Sequence, residues 1–200
     1  LAGTHSYTVT DANGCPATTS ITISEPAALV ASSTQGASIL CNAGSTTVTV
    51  SAVGGTAPYS GDGTFTVTAG TYNYTVTDAN GCTSSTSITV SEPTALVASS
   101  SATDILCNGG TSTVTVSATG GTAPYSGDGT FTVTAGTYNY TVTDANGCTS
   151  STSITVTEPA ALVASSSATD ILCNGGTATV TVSAVGGTTP YSGDGTFTVS

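Results

Sequence analysis

The chain has 200 residues, no lysine or arginine, and 11 carboxylates, which give a formal net charge of −11. Nucleic acid and anionic membrane surfaces are poor partners for such a chain, because proteins recognise both through cationic side chains. No apolar run reaches the roughly 18 residues that a membrane-spanning helix needs. We therefore predict a folded protein that neither binds nucleic acid nor inserts into a membrane.

The first organising feature is the stretch Tyr-Thr-Val-Thr-Asp-Ala-Asn-Gly-Cys, which begins at Tyr7 and recurs unchanged at Tyr74 and Tyr140. Its alternation of apolar residues and threonine predicts a strand with one buried face. Asp, Asn and Gly then predict a hairpin turn, because Asp bonds the backbone two residues on and Asn and Gly tolerate positive φ. The predicted turn residues are Asp78, Asn80 and Gly81 in one copy and Asp144, Asn146 and Gly147 in the next. A period of about 66 residues predicts a tandem array.

Glu-Pro pairs close the copies and define the predicted domains. Residues 27–93 and 94–159 are complete repeats. Residues 1–26 are predicted as the C-terminal hairpin of a partial repeat, and 160–200 as the N-terminal part of a further one. We expect the chain to be a window of a longer surface protein. The alternative is a polymerising filament subunit, in which strand donation by the 1–26 hairpin of a neighbour completes residues 160–200.

Six short strands are predicted within residues 94–159. The first three cover residues 95–99, 113–118 and 124–126. The last three point apolar side chains inward: Phe131 and Val133, then Tyr138, Tyr140 and Val142, then Ile154 and Val156. Short strands punctuated by Gly and Pro, without helical periodicity, predict an all-β fold of tandem small immunoglobulin-like β-sandwich repeats.

Each period carries two cysteines at fixed positions. The first cysteines are Cys41, Cys107 and Cys173, and the second cysteines are Cys15, Cys82 and Cys148. Fixed spacing in small units predicts disulfides and an oxidising compartment. Four predicted strands separate the first from the second cysteine of a repeat, which places both at one end of the sandwich. The preferred pairs are Cys41–Cys82 and Cys107–Cys148, with Cys15 and Cys173 unpaired. The alternative pairs are Cys15–Cys41, Cys82–Cys107 and Cys148–Cys173.

Further motifs repeat in a fixed order: Gly-Gly-Thr-Ala-Pro-Tyr at 54–59 and 120–125, Ala-Gly-Thr-Tyr at 69–72 and 135–138, and the closing Glu-Pro. With Val-Thr-Asp-Ala-Asn-Gly-Cys, this set resembles the SprB repeat of very long surface adhesins of gliding bacteria of the Bacteroidetes type. The resemblance covers the whole chain, although the stretch after Pro-Tyr is shortened here to Ser-Gly-Asp-Gly. It implies immunoglobulin-like units strung in a filament on the cell surface, secreted by the type IX system and serving gliding motility. It carries over no catalytic residue.

No enzymatic activity is predicted. The single histidine, His5, replaces the tyrosine of the other copies, and no acid–base pair, phosphate loop or nucleophile motif is present. No cofactor is predicted, with calcium as the alternative, since its oxygen ligands are available at Asp128, Asp144, Asn146, Glu158 and Asp170. No complete calcium loop exists, and turn formation accounts for Asp128 and Asp144. We therefore assign no metal site.

The function predicted from these features is mechanical: a structural extracellular filament or adhesin stalk at the cell surface. Its partners are neighbouring repeats or subunits in a fibre. The alternative is an array of carbohydrate- or surface-binding modules, in which rows of outward threonines contact a surface polysaccharide.

Overall fold

The computed structural model describes all 200 residues and is all-β, which confirms the predicted class of tandem β-sandwich repeats. The chain forms two compact units, Leu1–Glu92 and Pro93–Ser200. The strands of the first unit are β1 (Gly3–Thr10), β2 (Pro16–Ile23), β3 (Val30–Gln35), β4 (Thr46–Val53), β5 (Gly63–Val67), β6 (Gly70–Thr77) and β7 (Thr83–Val90). Those of the second unit are β8 (Val97–Ala102), β9 (Ser112–Thr119), β10 (Gly129–Val133), β11 (Gly136–Thr143), β12 (Thr149–Val156), β13 (Val163–Ala168), β14 (Ala178–Val185) and β15 (Gly195–Val199).

A complete repeat consists of one three-stranded and one two-stranded antiparallel sheet. In the second unit these sheets have the orders β10-β9-β8 and β11-β12, and in the first unit β3-β4-β5 and β6-β7. Strand β9 begins with Ser112, and its valines are buried while the threonines between them are exposed, as the period of two along a strand requires. The repeating Thr-Val pattern therefore produces one apolar face per sheet.

The apolar faces of the two sheets enclose the core. Val114 and Val142 are fully buried between β9 and β11, with Ile105, Val116 and Val156 around them. The remaining inward-pointing residues predicted from the sequence also pack on this core, as expected: Phe131, Val133, Tyr138, Tyr140 and Ile154. Hydroxyls join the sheets along one edge, where the Ala98 N–H donates to Ser150 Oγ at 3.1 Å.

A complete repeat has five strands, so the third predicted strand, at residues 124–126, is wrong. Only Ser126 pairs there, as an isolated bridge to Thr143. The preceding Gly120 and Gly121 have φ of 73° and 58°, which turns the backbone out of the strand direction. The hydroxyl of Tyr125 donates to the carbonyl of Gly120 at 2.6 Å, so the segment folds back as a loop.

The first strand of the repeat also lies later than predicted, at Val97–Ala102 instead of 95–99. Its predicted start is in a loop, because the carbonyl of Thr94 accepts the N–H of Gly121 at 2.8 Å. This contact brings the segment that opens the repeat against the two glycines that follow β9.

Two parts of the chain consist of one layer. Hairpin β1-β2 is paired from Gly3↔Ile23 to Thr10↔Pro16, and all its residues except His5 are exposed. Strands β13, β14 and β15 form a three-stranded sheet with the same order as β3-β4-β5. In each case one face carries apolar side chains that the complete repeats cover with a second sheet.

Candidate functional site

The Asp-Ala-Asn-Gly-Cys turn binds the loop that follows the central strand of its own repeat. Asp78 Oδ1 accepts the N–H groups of Asn80 and Cys82, both at 2.9 Å. Its Oδ2 atom accepts the N–H of Thr56 at 2.9 Å. One carboxylate thus holds its own turn with one oxygen and a loop 22 residues earlier with the other. We call this set, Asp78 with Thr56, Asn80 and Cys82, the aspartate clamp.

The second complete repeat contains the same clamp, with the same distances. Asp144 accepts the N–H groups of Asn146, Cys148 and Thr122, each at 2.9 Å. The side-chain amide of Asn146 also donates to Thr122 Oγ1 at 2.9 Å. The predicted turn residues therefore do more than reverse the chain, because they also tie β11-β12 to the loop after β9.

Glycines in the Gly-Gly-Thr motif make room for the clamp. A Cβ atom at Gly55 would lie 2.7 Å from Asp78 Oδ2, and one at Gly54 would lie 2.0 Å from the carbonyl oxygen of Ala28. Both residues also have positive φ, which favours glycine. The repeated Gly-Gly pair is thus explained by close backbone and carboxylate contacts.

Hydrogen bonding keeps both clamp carboxyls ionised. Asp78 and Asp144 are buried, each with 5% of its surface exposed. The Thr56 N–H, together with the N–H groups of Cys82 and Asn80, lowers the pKa of Asp78 against the effect of burial. At Asp144 burial raises the pKa, but the N–H groups of Thr122, Cys148 and Asn146 outweigh it, so the net pKa is lowered. The clamp therefore acts as a charge-assisted acceptor.

This lowered pKa predicts acid sensitivity of the complete repeats. A carboxyl with a lower pKa when folded contributes stability above its unfolded value of about 3.9, and the contribution is lost as pH falls through the folded pKa. We expect the melting temperature to be steady between about pH 7 and 5 and to fall below about pH 4. Circular dichroism melts measure it. The double variant Asp78→Asn, Asp144→Asn should have a lower melting temperature at neutral pH, and this temperature should fall less on acidification than that of the wild type. Parallel plots of melting temperature against pH for the two proteins would contradict the prediction.

A second contact, at the other end of the repeat, was not predicted. Glu92 accepts the side-chain amide of Asn42 at 3.0 Å and the N–H of Ala43 at 2.7 Å. In the next repeat Glu158 accepts the N–H of Gly109 at 2.7 Å, and the amide of Asn108 donates to the Pro159 carbonyl at 3.1 Å. We call this the glutamate clip. The repeated Cys-Asn and Glu-Pro pairs were its only signal in the sequence.

The predicted cysteine pairs are wrong. Cys82 and Cys107 are exposed free thiols, so neither Cys41–Cys82 nor Cys107–Cys148 forms. Cys15 and Cys173 are also free, which excludes the alternative set. The disulfide-bonded residues are Cys41 and Cys148. Because residues 124–126 form no strand, three strands instead of four separate Cys107 from Cys148. An odd number of strands places the two cysteines of a repeat at opposite ends of its sandwich.

Of the residues considered for calcium, Asp144 and Asn146 share a clamp, but the candidates do not form a ligand cluster. No three His, Cys, Asp or Glu side chains are grouped where they could hold a metal ion. The Asp144 oxygens face N–H donors, and Glu158 accepts the N–H of Gly109. His5 Nε2 lies 2.9 Å from the carbonyl oxygen of Leu1 in the exposed hairpin. The clamp and the clip are thus contacts that organise the repeat.

Comparison of the chain with protein-family models and with curated proteins found no match. No helix has the length and apolar character needed to cross a membrane.

Proposed function

We propose that the chain is part of a structural extracellular filament or adhesin stalk built of tandem immunoglobulin-like repeats. Its partners are neighbouring repeats in a fibre. The resemblance to the SprB repeat supports a cell-surface location, type IX secretion and a role in gliding motility. The disulfide-bonded Cys41 and Cys148 are compatible with an oxidising compartment outside the cell.

The observation that carries the proposal is that a repeat is tied to its linkers at both ends. In the first unit the Gly55 N–H, next to the clamp, donates to the carbonyl of Ala27 at 2.6 Å, where the chain enters the repeat. The glutamate clip holds Glu92, where the chain leaves it. Contacts of this kind restrict the linkers, which suits a stalk that transmits force along its length.

The outer surface of the repeats also suits a stalk. Threonine and serine hydroxyls face each other across hairpin β6-β7, with Thr71 and Thr89 oxygens 2.9 Å apart and Thr75 and Ser85 oxygens 2.9 Å apart. Such a surface is polar and carries no cation, so it resists adhesion to acidic neighbours. The same exposed hydroxyl rows favour the second candidate, binding to a surface polysaccharide.

Two experiments test the proposal. Electron microscopy of the native material shows whether it forms fibres, and a glycan array probed with the 200-residue chain shows whether it binds polysaccharide. We expect long thin fibres and no glycan bound above background. Glycan binding would favour the polysaccharide-binding array. Compact particles in the micrographs would overturn the stalk.

A further inference from the structure

The first and last strands of a complete repeat lie side by side, although they belong to different sheets. In the first unit these strands are β3, which pairs with β4, and β7, which pairs with β6. The N–H of Ala31 donates to Ser84 Oγ at 3.0 Å, and Ser33 Oγ lies 3.0 Å from Thr86 Oγ1. Side-chain hydroxyls therefore make the contact between β3 and β7 that a backbone ladder makes between the strands of each sheet.

The same contact joins β8 to β12 in the second unit. The N–H of Ala98 donates to Ser150 Oγ at 3.1 Å, and Ser100 Oγ lies 2.9 Å from Thr152 Oγ1. All the serine and threonine side chains involved are half-buried. We call this set the hydroxyl seam, and it consists of Ser33, Ser84 and Thr86 in the first complete repeat and Ser100, Ser150 and Thr152 in the second.

The order of the partners shows that the two strands of the seam run parallel. From Ala31 to Ser33 along β3, the partner advances from Ser84 to Thr86 along β7. The partners in β8 and β12 advance in the same way. The start of β3 therefore lies beside the start of β7. Because β3 is the first strand of its repeat and β7 the last, the chain enters at one end of the seam and leaves at the other.

The hydroxyls of β7 stand where the strand pattern would otherwise place apolar side chains. Residues 84, 86, 88 and 90 share the inward face of β7, and Ile88 and Val90 pack on the core of the repeat. A hydroxyl turned inward lowers stability unless it is hydrogen-bonded. Ser84 and Thr86 are therefore explained by their contacts with β3, because core packing alone would favour apolar residues.

Parallel strands at the two ends of the repeat determine how it carries a load. Tension between the entering and leaving linkers pulls β3 and β7 in opposite directions along their length. The seam contacts are then stretched together and share the force, whereas strands pulled apart from one end lose their contacts one at a time. Sliding of β3 must also break its ladder with β4, which runs from Val30↔Val53 to Gln35↔Val48.

We propose that the hydroxyl seam is the force-bearing contact of each complete repeat and holds the repeat folded when tension acts between its linkers. Because the seam hydroxyls are half-buried, breaking their bonds leaves polar groups without full access to water, which raises the barrier to unfolding. This inference deepens the proposed stalk function, on which its biological meaning rests.

Single-molecule force spectroscopy of the full chain tests the seam of the first complete repeat. Handles are attached through azide-bearing side chains placed at Val30 and Ser91, which are exposed and lie at the start of β3 and just after the end of β7. The seam variant combines Ser33→Ala with Thr86→Val and removes one hydroxyl pair. At constant force we expect it to unfold about tenfold faster than the wild type, because forced unfolding depends on the unfolding rate.

A matched control variant combines Thr75→Val with Ser85→Ala. It also removes one hydroxyl pair, with oxygens 2.9 Å apart, but on the exposed outer face of hairpin β6-β7. We expect it to unfold under force at the wild-type rate, with circular dichroism confirming that both variants are folded. A wild-type rate for the seam variant, or an equal acceleration in the control variant, would overturn the proposal.

The direction of pulling provides a second test. With handles at Val30 and Thr83, which begin β3 and β7, both attachment points lie at the same end of the seam. Tension then peels the seam, so the wild type should unfold at clearly lower force than with handles at Val30 and Ser91. The seam variant should lower the unfolding force mainly in the Val30–Ser91 geometry. Equal wild-type forces in the two geometries would show that the seam is not loaded in shear and would overturn the proposal.

The two proposals fail separately. Compact particles in micrographs of native material would overturn the stalk but would leave the measured unfolding forces unaffected. A seam variant as resistant to force as the wild type would overturn the seam but would leave fibres of native material unaffected.

Discussion

Replacing Gly120 by alanine should unfold the repeat at residues 94–159 at markedly lower urea concentration. The new Cβ atom would lie 2.0 Å from the Ala95 carbonyl oxygen, and Gly120 has φ of 73°. The backbone at position 120 or at Ala95 must then move, so we expect the free energy of unfolding to fall by at least about 3 kcal/mol. Urea titration followed by tyrosine fluorescence measures it, and amide hydrogen exchange assigns the loss to this repeat.

Gly147→Ala is the matched control. Gly147 also has positive φ, at 84°, but a Cβ atom there meets nothing within 4 Å. Gly147→Ala should therefore lower the free energy of unfolding only by the backbone strain of an alanine in the left-handed region, about 1 kcal/mol. Equal losses for Gly120→Ala and Gly147→Ala would show that the contact with Ala95 is unimportant and would contradict the prediction.

Removing the carboxylate of the second clamp should have a comparable effect. Asp144→Ala leaves the N–H groups of Thr122, Asn146 and Cys148 without their acceptor at a buried site. We expect the melting temperature of this repeat to fall by on the order of 10 °C, given the loss of several hydrogen bonds to one charged group. Thermal melts by circular dichroism measure the change, with hydrogen exchange again locating it.

Two further variants separate the clamp from the turn. Asp11→Ala removes the same side chain from an exposed turn, where only N–H groups of that turn are bound, so the melting temperature of the complete repeats should not change. Asp144→Asn keeps one oxygen acceptor but places an amide donor against the Thr122 N–H, so it should recover only part of the loss. Full recovery by Asp144→Asn would show that the carboxylate charge is not needed.

The common function of clamp and clip is to join segments that are distant in sequence. The clamp ties a hairpin turn to a loop 22 residues earlier. The clip ties a linker to a loop that lies 49 to 50 residues earlier. Both use carboxylates in a chain that has no cationic side chains. Backbone N–H groups and the Asn42 side-chain amide therefore take the place that lysine and arginine have in other proteins.

Local sequence determined the strands and the turns. The alternation of valine with threonine specifies which side chains reach the core, because successive side chains of a strand point to opposite faces. For this reason the inward positions of Phe131, Tyr140 and Val142 were predictable. Asp144, Asn146 and Gly147 were identifiable as a turn because turn formation depends on neighbouring residues only.

Only the tertiary structure decided the cysteine pairing and the glutamate contacts. The pairing depended on whether residues 124–126 formed a strand, since one strand more or less moves Cys148 to the other end of the sandwich. That segment became a loop through positive φ at Gly120 and Gly121 and the hydrogen bond from Tyr125. Glu92 and Glu158 are likewise placed by contacts with loops that lie 49 or 50 residues earlier in the chain. Such contacts join residues that no local pattern relates, and packing alone brings them together.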